Sequence, residues 1–147
     1  MGTLNIYSSA TGGAGNPGLL TGQVGDLLRV LDKVLVNGWT GVAAAGWTKP
    51  IANSGNIGCY QQGAGAGFGV VVNDNGPNVT STFKEAWATG WESIAGIGAP
   101  VGSGGGQFPV PAQLLTTGHV VWRKSTTADG TGRAWICFAD ALSLIHI

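Results

Sequence analysis

Residues 24–36 read VGDLLRVLDKVLV, and this stretch decides the predicted fold. Its apolar residues recur at spacings of three and four, which places one stripe along a helix: Val24, Leu27, Leu28, Leu31, Val34 and Leu35. Thr21 is positioned to cap the start of this helix, and Asn37 followed by Gly38 supplies a left-handed stop. Because a single apolar stripe needs a partner surface, we expect the helix to pack on a sheet.

The other segments with few glycines are mostly typical of strands. Runs of β-branched and aromatic residues occupy residues 67–72, 79–83, 119–124 and 133–138. Residues 73–76, NDNG, are a strong turn signal, and Asp129 with Gly130 predicts an antiparallel connection between the last two runs. We therefore predict an α+β fold, with the amphipathic N-terminal helix packed on a mostly antiparallel β-sheet or a small β-sandwich.

The glycines suggest how the domain is organised. The chain has 27 of them in 147 residues, concentrated in an N-terminal stretch and in residues 55–69 and 96–106. We predict that residues 1–20 form a flexible N-terminal arm and that residues 21–147 form a single globular domain with Gly-rich loops.

The last six residues, LSLIHI at 142–147, have two interpretations. In the first, they are a non-native tail, because a common transposase sequencing adapter encodes this peptide when it is read in frame; the natural chain would then continue past Ala141. In the second, they form a genuine short last strand.

The charge balance argues against several partners. The chain carries 7 Lys and Arg residues against 7 Asp and Glu residues, so its formal net charge is zero. Without a basic run we expect no nucleic-acid partner, because that affinity depends on many contacts from Lys and Arg to phosphate. We also expect no membrane association, since no stretch approaches the roughly 18 apolar residues of a membrane span and the start lacks a signal-peptide pattern.

The residues that could carry chemistry are few, so we predict no enzyme activity, no cofactor and no metal. His119 borders an apolar strand and is better explained by a structural role. Residues 13–18 match a dinucleotide motif formally, but Pro17 stands where its helix should begin. Cys59 and Cys137 lie in strand-like runs and are predicted to be two buried thiols, with their proximity left open.

Six tryptophans make a heavy aromatic load for a chain of this size. Trp122 and Trp135 lie in apolar strands and are predicted to be core residues. Trp39, Trp87 and Trp91 border glycines or polar residues, so a core position and a contact surface are both open for them. We take these three as the candidate contact surface.

Several short motifs occur together in a recognisable order. They are LDKVLVNG at 31–38, GWTKP at 46–50, GF at 67–68, VND at 72–74, FP at 108–109, AQ at 112–113, WRKS at 122–125, AD at 128–129, RAW at 133–135 and AD at 139–140. In this order and spacing the chain resembles a family of mostly uncharacterised structural proteins of tailed double-stranded DNA bacteriophages. It departs from the family in the glycine-rich residues 96–106 and the uncharged residues 70–72.

This resemblance implies a virion structural protein, present in the virion and in the host cytoplasm during assembly. Its partners would be other phage structural proteins, such as capsid or tail subunits, and we expect a homo-oligomer. Capsid decoration or stabilisation is our first hypothesis, and a tail or head-tail junction component is the alternative. A carbohydrate-binding module on the virion, stacking sugars on Trp87 and Trp91, is a further alternative.

Overall fold

Two antiparallel sheets and one helical segment form the structure, a computed structural model that describes residues 4–65, 67–74, 84–99, 102–110, 118–125, 129–141 and 144–146. The elements in chain order are β1 (Asn5–Ser8), α1 (Asp26–Leu31), a π-helical segment (Asp32–Asn37), β2 (Ile57–Gln61), β3 (Gly69–Asn73), β4 (Lys84–Gly96), β5 (Ser103–Phe108), β6 (Val120–Ser125), β7 (Ile136–Ala139) and β8 (Leu144–His146).

The predicted α+β class is wrong, because the fold is mostly β. Against the eight strands of the described residues stands one short helical segment, six residues of α-helix followed by six of π-helix. The helix begins at Asp26 because Gly25 before it is left-handed, with φ of 84°, which leaves Val24 of the predicted stripe exposed. The segment ends at Gly38 as predicted, where φ is 64°, but ψ of -167° lies outside the left-handed helical conformation that was predicted.

Thr21 is predicted to cap the helix, but in the structure it does not. Gly25 occupies the cap position, and the backbone N–H and hydroxyl of Thr21 both donate to the Asp26 carboxylate, at 2.6 and 2.8 Å. Asp26 therefore ties the segment before the helix to the first helical turn.

The large sheet is arranged around β4, its longest strand. The order is β2-β3-β4, and both β5 and β6 pair with the edge of β4 that faces away from β3. Ala86 is paired with Trp122 of β6, whereas Gly90 is paired with Phe108 of β5. The two strands therefore follow one another along the same edge.

The small sheet has the order β1-β7-β8, with Tyr7 opposite Cys137 and Ile6 opposite Phe138. The predicted antiparallel pairing of the runs 119–124 and 133–138 is wrong, because β6 belongs to the large sheet and β7 to the small one. The partner of β7 is instead the distant β1, which it binds along its whole length. Residues 144–146 pair with β7 as a strand, and the origin of residues 142–147 stays open.

Two apolar clusters lie on opposite faces of the large sheet. The larger joins the helical segment to both sheets and includes Tyr7, Leu27, Leu28, Leu31, Leu35, Tyr60, Val72, Ala86, Trp135 and Cys137. The smaller contains Cys59, Val71, Trp91 and Ile97. Neighbouring Val71 and Val72 point to different clusters because strand side chains alternate. Both cysteines are free and buried, which confirms the predicted thiols, and they lie in different clusters.

Tryptophan indoles hold the glycine-rich N-terminal stretch against the chain. Trp39 Nε1 donates to the carbonyl oxygen of Gly12 at 3.1 Å, and Trp135 Nε1 donates to that of Gly18 at 2.6 Å. The division into an arm of residues 1–20 and a domain of residues 21–147 stays a prediction. The predicted strand at 79–83 and residues 75–76 of the predicted turn at 73–76 lie outside the described residues. In the part of the chain that is described, no helix has the length and apolarity to cross a membrane.

Candidate functional site

An open apolar groove of about 370 Å³ lies on one face of the large sheet. Val70 of β3 and Ala88 and Gly90 of β4 form its floor. Its walls are mostly aromatic and are formed by Trp47, Phe68, Phe108, Pro109, Val120 and Trp122, with Gln62 and Gly69 completing the lining. We call this site the apolar groove. Its volume lies within the range of ligand-binding clefts, about 300–1,000 Å³.

The strand register explains why the sheet is hollow at this point. Val70, Gly90 and Phe108 lie in one row across β3, β4 and β5, and all point to the same face. Gly90 has no side chain, so the Phe108 ring lies over the strand; a Cβ at position 90 would be 2.0 Å from Cε2 of that ring. Phe68 meets Phe108 edge to face, with ring centroids 6.0 Å apart. The glycine thus creates the depth that the aromatic wall encloses.

The rim of the apolar groove is both exposed and uncharged. Phe108 is 46% exposed, and Phe68 and Val120 are exposed to a similar extent. Among the described residues, Gln62 contributes the one polar side chain of the lining, and none of these residues is ionisable. The groove can therefore bind an apolar group by removing it from water, but its lining has nothing to move a proton.

Asp32, Lys49 and Tyr60 form a polar cluster that is not part of the groove lining. The Tyr60 hydroxyl donates to Asp32 Oδ1 at 2.7 Å, and Lys49 Nζ forms an ion pair with the same oxygen. Burial raises the pKa of Tyr60 far above its usual value, and the Asp32 carboxylate raises it further. A phenol held protonated in this way serves as a donor that ties β2 to the helical segment.

A buried ion pair joins Asp74, at the end of β3, to Lys124 of β6. Asp74 Oδ2 also accepts the N–H of Leu27 at 2.8 Å, and Lys124 Nζ donates to the carbonyl oxygen of Gln23 at 2.6 Å. Burial raises the pKa of Asp74, and the neighbouring Lys124 opposes that rise. Both side chains are almost completely inaccessible, so the pair connects two strands to the start of the helix.

The three candidate contact residues do not come together, and none lines the apolar groove. Trp39 is buried in the larger cluster, edge to face with Tyr7, while Trp91 is buried in the smaller cluster at 5% exposure. Trp87 is half-buried and belongs to the same face as Trp91. The sequence left both a core position and a contact surface open for these tryptophans. In the structure Trp39 and Trp91 are core residues, and a contact role for the three stays a prediction.

The structure also places three other residues whose positions were predicted, His119, Trp122 and Trp135. His119 is buried and stacked on Trp87 with ring centroids 3.6 Å apart, which fits its predicted structural role, and burial lowers its pKa. Trp135 is a core residue as predicted, whereas Trp122 is only half-buried and lines the groove.

The sequence contains a signal for the groove, which the sequence analysis did not predict. Residues 86–90 of β4 read AWATG, which places small residues at every second position, Ala86, Ala88 and Gly90. Small residues in alternation on one face of a strand indicate a shallow or hollow sheet surface at that point. Their partners could not be recognised, because Phe68 lies in one glycine-rich tract and Phe108 follows another, 40 residues further along the chain.

Neither a metal site nor similarity to known proteins provides a further candidate site among the described residues. Within the described residues no group of three His, Cys, Asp or Glu side chains is arranged to hold a metal ion. Comparison of the chain with protein-family models, curated proteins and solved structures gave no match.

Proposed function

We propose that this chain is a structural protein of the virion of a tailed double-stranded DNA bacteriophage, and that it decorates or stabilises the capsid through contacts with other subunits. The observation that carries this proposal is the apolar groove, which leaves aromatic side chains half exposed on a chain with few charges. Exposed apolar patches with such a lining are typical of protein interaction sites.

A neighbouring phage subunit is the proposed partner of the groove. The lining lacks ionisable groups, so the partner that fits it best presents apolar or aromatic side chains. Capsid subunits are our first choice, and tail or head-tail junction subunits are the alternative. On this proposal the chain is found in the virion, after assembly in the host cytoplasm.

The low charge of the chain supports the same proposal. It has 14 charged residues, 7 of each sign, where a typical domain of 147 residues has about 37. Proteins that stay dispersed as free monomers usually carry a net charge and interspersed surface charges. A subunit covered by its neighbours in a particle has less need of them.

An enzyme and a sugar-binding module receive less support. The lining residues that the structure describes include no acid, base or nucleophile. The proposed sugar platform used Trp87 and Trp91, but the Trp91 ring is buried and Trp87 is stacked on His119. The two tryptophans therefore do not offer a pair of free rings on which a sugar could stack.

Incorporation into particles tests the proposal. Epitope-tagged chain, supplied during infection, should copurify with the phage particles. Phe108→Ser should reduce incorporation at least tenfold, because it places a polar group in the groove wall. Val24→Ser is the matched control, since Val24 is similarly exposed but lies outside the groove, and it should be incorporated like the unchanged chain. Absence of the unchanged chain from the particles would overturn the proposal.

A further inference from the structure

Strand β1 forms one edge of the small sheet. Its inner edge is paired with β7, and no described residue pairs with its outer edge. An edge strand exposes a row of backbone donors and acceptors that can bind another strand. The hydrogen bonds around β1 show which residues provide this row.

Leu4 and Ile6 direct their backbone groups outward. The N–H of Ser9 donates to the carbonyl oxygen of Trp135 at 3.1 Å, so the alternation of an antiparallel pair turns Tyr7 and Asn5 toward β7 as well. The intervening Leu4, Ile6 and Ser8 then face the outer edge. Ser8 is already engaged, because its N–H and its carbonyl oxygen both bond to Thr11. Leu4 to Ile6 is therefore the part of the edge that no described residue occupies.

The side chains of this edge have none of the features that normally prevent strand addition. Ile6 is 65% exposed and Leu4 is 50% exposed. No charged residue occurs in residues 4–25, nor in residues 134–139 of the neighbouring β7 region. Proteins usually protect a free edge with lysine, proline or a bulge. This edge instead has exposed apolar side chains and no charged residue near it in the chain.

We propose that β1 pairs with β1 of a second copy of this chain, antiparallel and centred on Asn5. In this register Leu4 lies opposite Ile6 of the partner copy, and the two pairs exchange four backbone hydrogen bonds without using Ser8. Residues 4 and 6 share one face of the strand, so each leucine packs beside an isoleucine across the two-fold axis.

A second copy fits this edge better than a charged partner does. The edge is uncharged, so two copies meet without like charges facing each other. The pattern of Leu4 and Ile6 is also self-complementary about Asn5, as an isologous two-fold contact requires. The three-stranded sheet becomes a continuous six-stranded sheet.

This inference deepens the proposed subunit-contact function by naming one contact, and its test uses the purified chain alone. Light scattering coupled to gel filtration should show a dimer at tens of micromolar. Ile6→Lys should raise the dissociation constant about tenfold or more, because each lysine enters the apolar pairing, whereas the exposed control Val24→Lys should not change it. A monomeric unchanged chain, or equal effects of both lysines, would overturn the proposal.

A cross-link tests the register directly. Asn5→Cys places two thiols across the two-fold axis, where Cα atoms of a non-hydrogen-bonded pair are about 4.5 Å apart, within disulfide range. Mild oxidation should yield a covalent dimer, while Val24→Cys should yield little, and the native cysteines are buried. Equal cross-linking of the two variants contradicts the register. Failure here leaves the virion proposal standing, because incorporation into particles is measured separately.

Discussion

Two regions of one sheet face differ in what covers them. In the covered region, Tyr60, Val72 and Ala86 lie against the helical segment and are buried. In the open region, Val70, Ala88 and Gly90 form the floor of the apolar groove. The same strands supply both regions, and the side-chain alternation is the same, so strand pattern does not separate them. The short helical segment covers only part of the face, and the small residues of β4 hollow out the rest.

We expect stability and recognition to be divided between the two regions. Changes beneath the helical segment should unfold the protein, whereas changes in the groove should leave it folded and alter what it binds.

The largest loss of stability is expected from Lys124→Met. The substitution leaves the Asp74 carboxylate buried without its counter-charge, which costs about 3–5 kcal/mol. Urea unfolding at neutral pH measures the change. Adding Asp74→Asn to Lys124→Met should recover part of the loss, because no buried charge is left. A loss of less than 1 kcal/mol for the single variant, on the order of an exposed pair, would contradict the buried pair.

Leu35→Ala tests the covered region through apolar packing alone. Leu35 is fully buried in the larger cluster, so the truncation should lower the free energy of unfolding by about 2–5 kcal/mol. Val24→Ala is the control from the predicted stripe; because Val24 is exposed, it should change stability by no more than about 0.5 kcal/mol. Similar losses for the two variants would argue against the helix boundary at Asp26.

Gly90→Ala should act on the open region. The new methyl group would overlap the Phe108 ring, which must move into the groove, at a cost of about 1–3 kcal/mol. Fluorescence of an environment-sensitive apolar dye bound to the groove should fall as the site fills. Gly98→Ala is the control, because a Cβ there meets no atom within 4 Å. Dye binding that is unchanged in Gly90→Ala would show that the groove is not the dye site.

The smallest effect is expected from pH at the start of the helix. Burial raises the pKa of Asp26, but hydrogen bonds from Arg29 and Thr21 outweigh it and hold the pKa below its usual value. The stability this provides is therefore present above about pH 4 and is lost as the pH falls through the lower folded pKa. The effect should stay below about 1 kcal/mol, because Arg29 is 43% exposed.

Asp26→Asn tests that pH dependence. Urea midpoints of the variant should fall less between about pH 6 and about pH 3 than those of the unchanged chain. An identical fall in both would show that Asp26 does not contribute to the acid sensitivity.

Local features of the fold could be predicted, and long-range ones could not. The helical stripe and its stop at Gly38 follow from spacing and backbone preference, and the strand signals at 67–72, 119–124 and 133–138 overlap β3, β6 and β7. The pairing of β7 with β1 connects residues about 130 positions apart, and no turn signal encodes such a contact. The predicted α+β class is wrong because the helical stripe forms only one short segment, whereas eight strands are found among the described residues.

The candidate site was missed for a related reason. Tryptophan content directed attention to Trp39, Trp87 and Trp91, but burial of Trp39 and Trp91 depends on sheet faces that only the pairing defines. The groove instead depends on Gly90, where the absence of a side chain allows Phe108 to cross the strand. An absence of this kind is hard to recognise in a chain with 27 glycines.

Electron imaging of phage particles that carry the labelled chain tests the central claim most directly. We expect label in many symmetric copies on the particle, at capsid positions first, and loss of that label in Phe108→Ser but not in Val24→Ser. Particles that carry no label although the tagged chain is folded and present during assembly would contradict it.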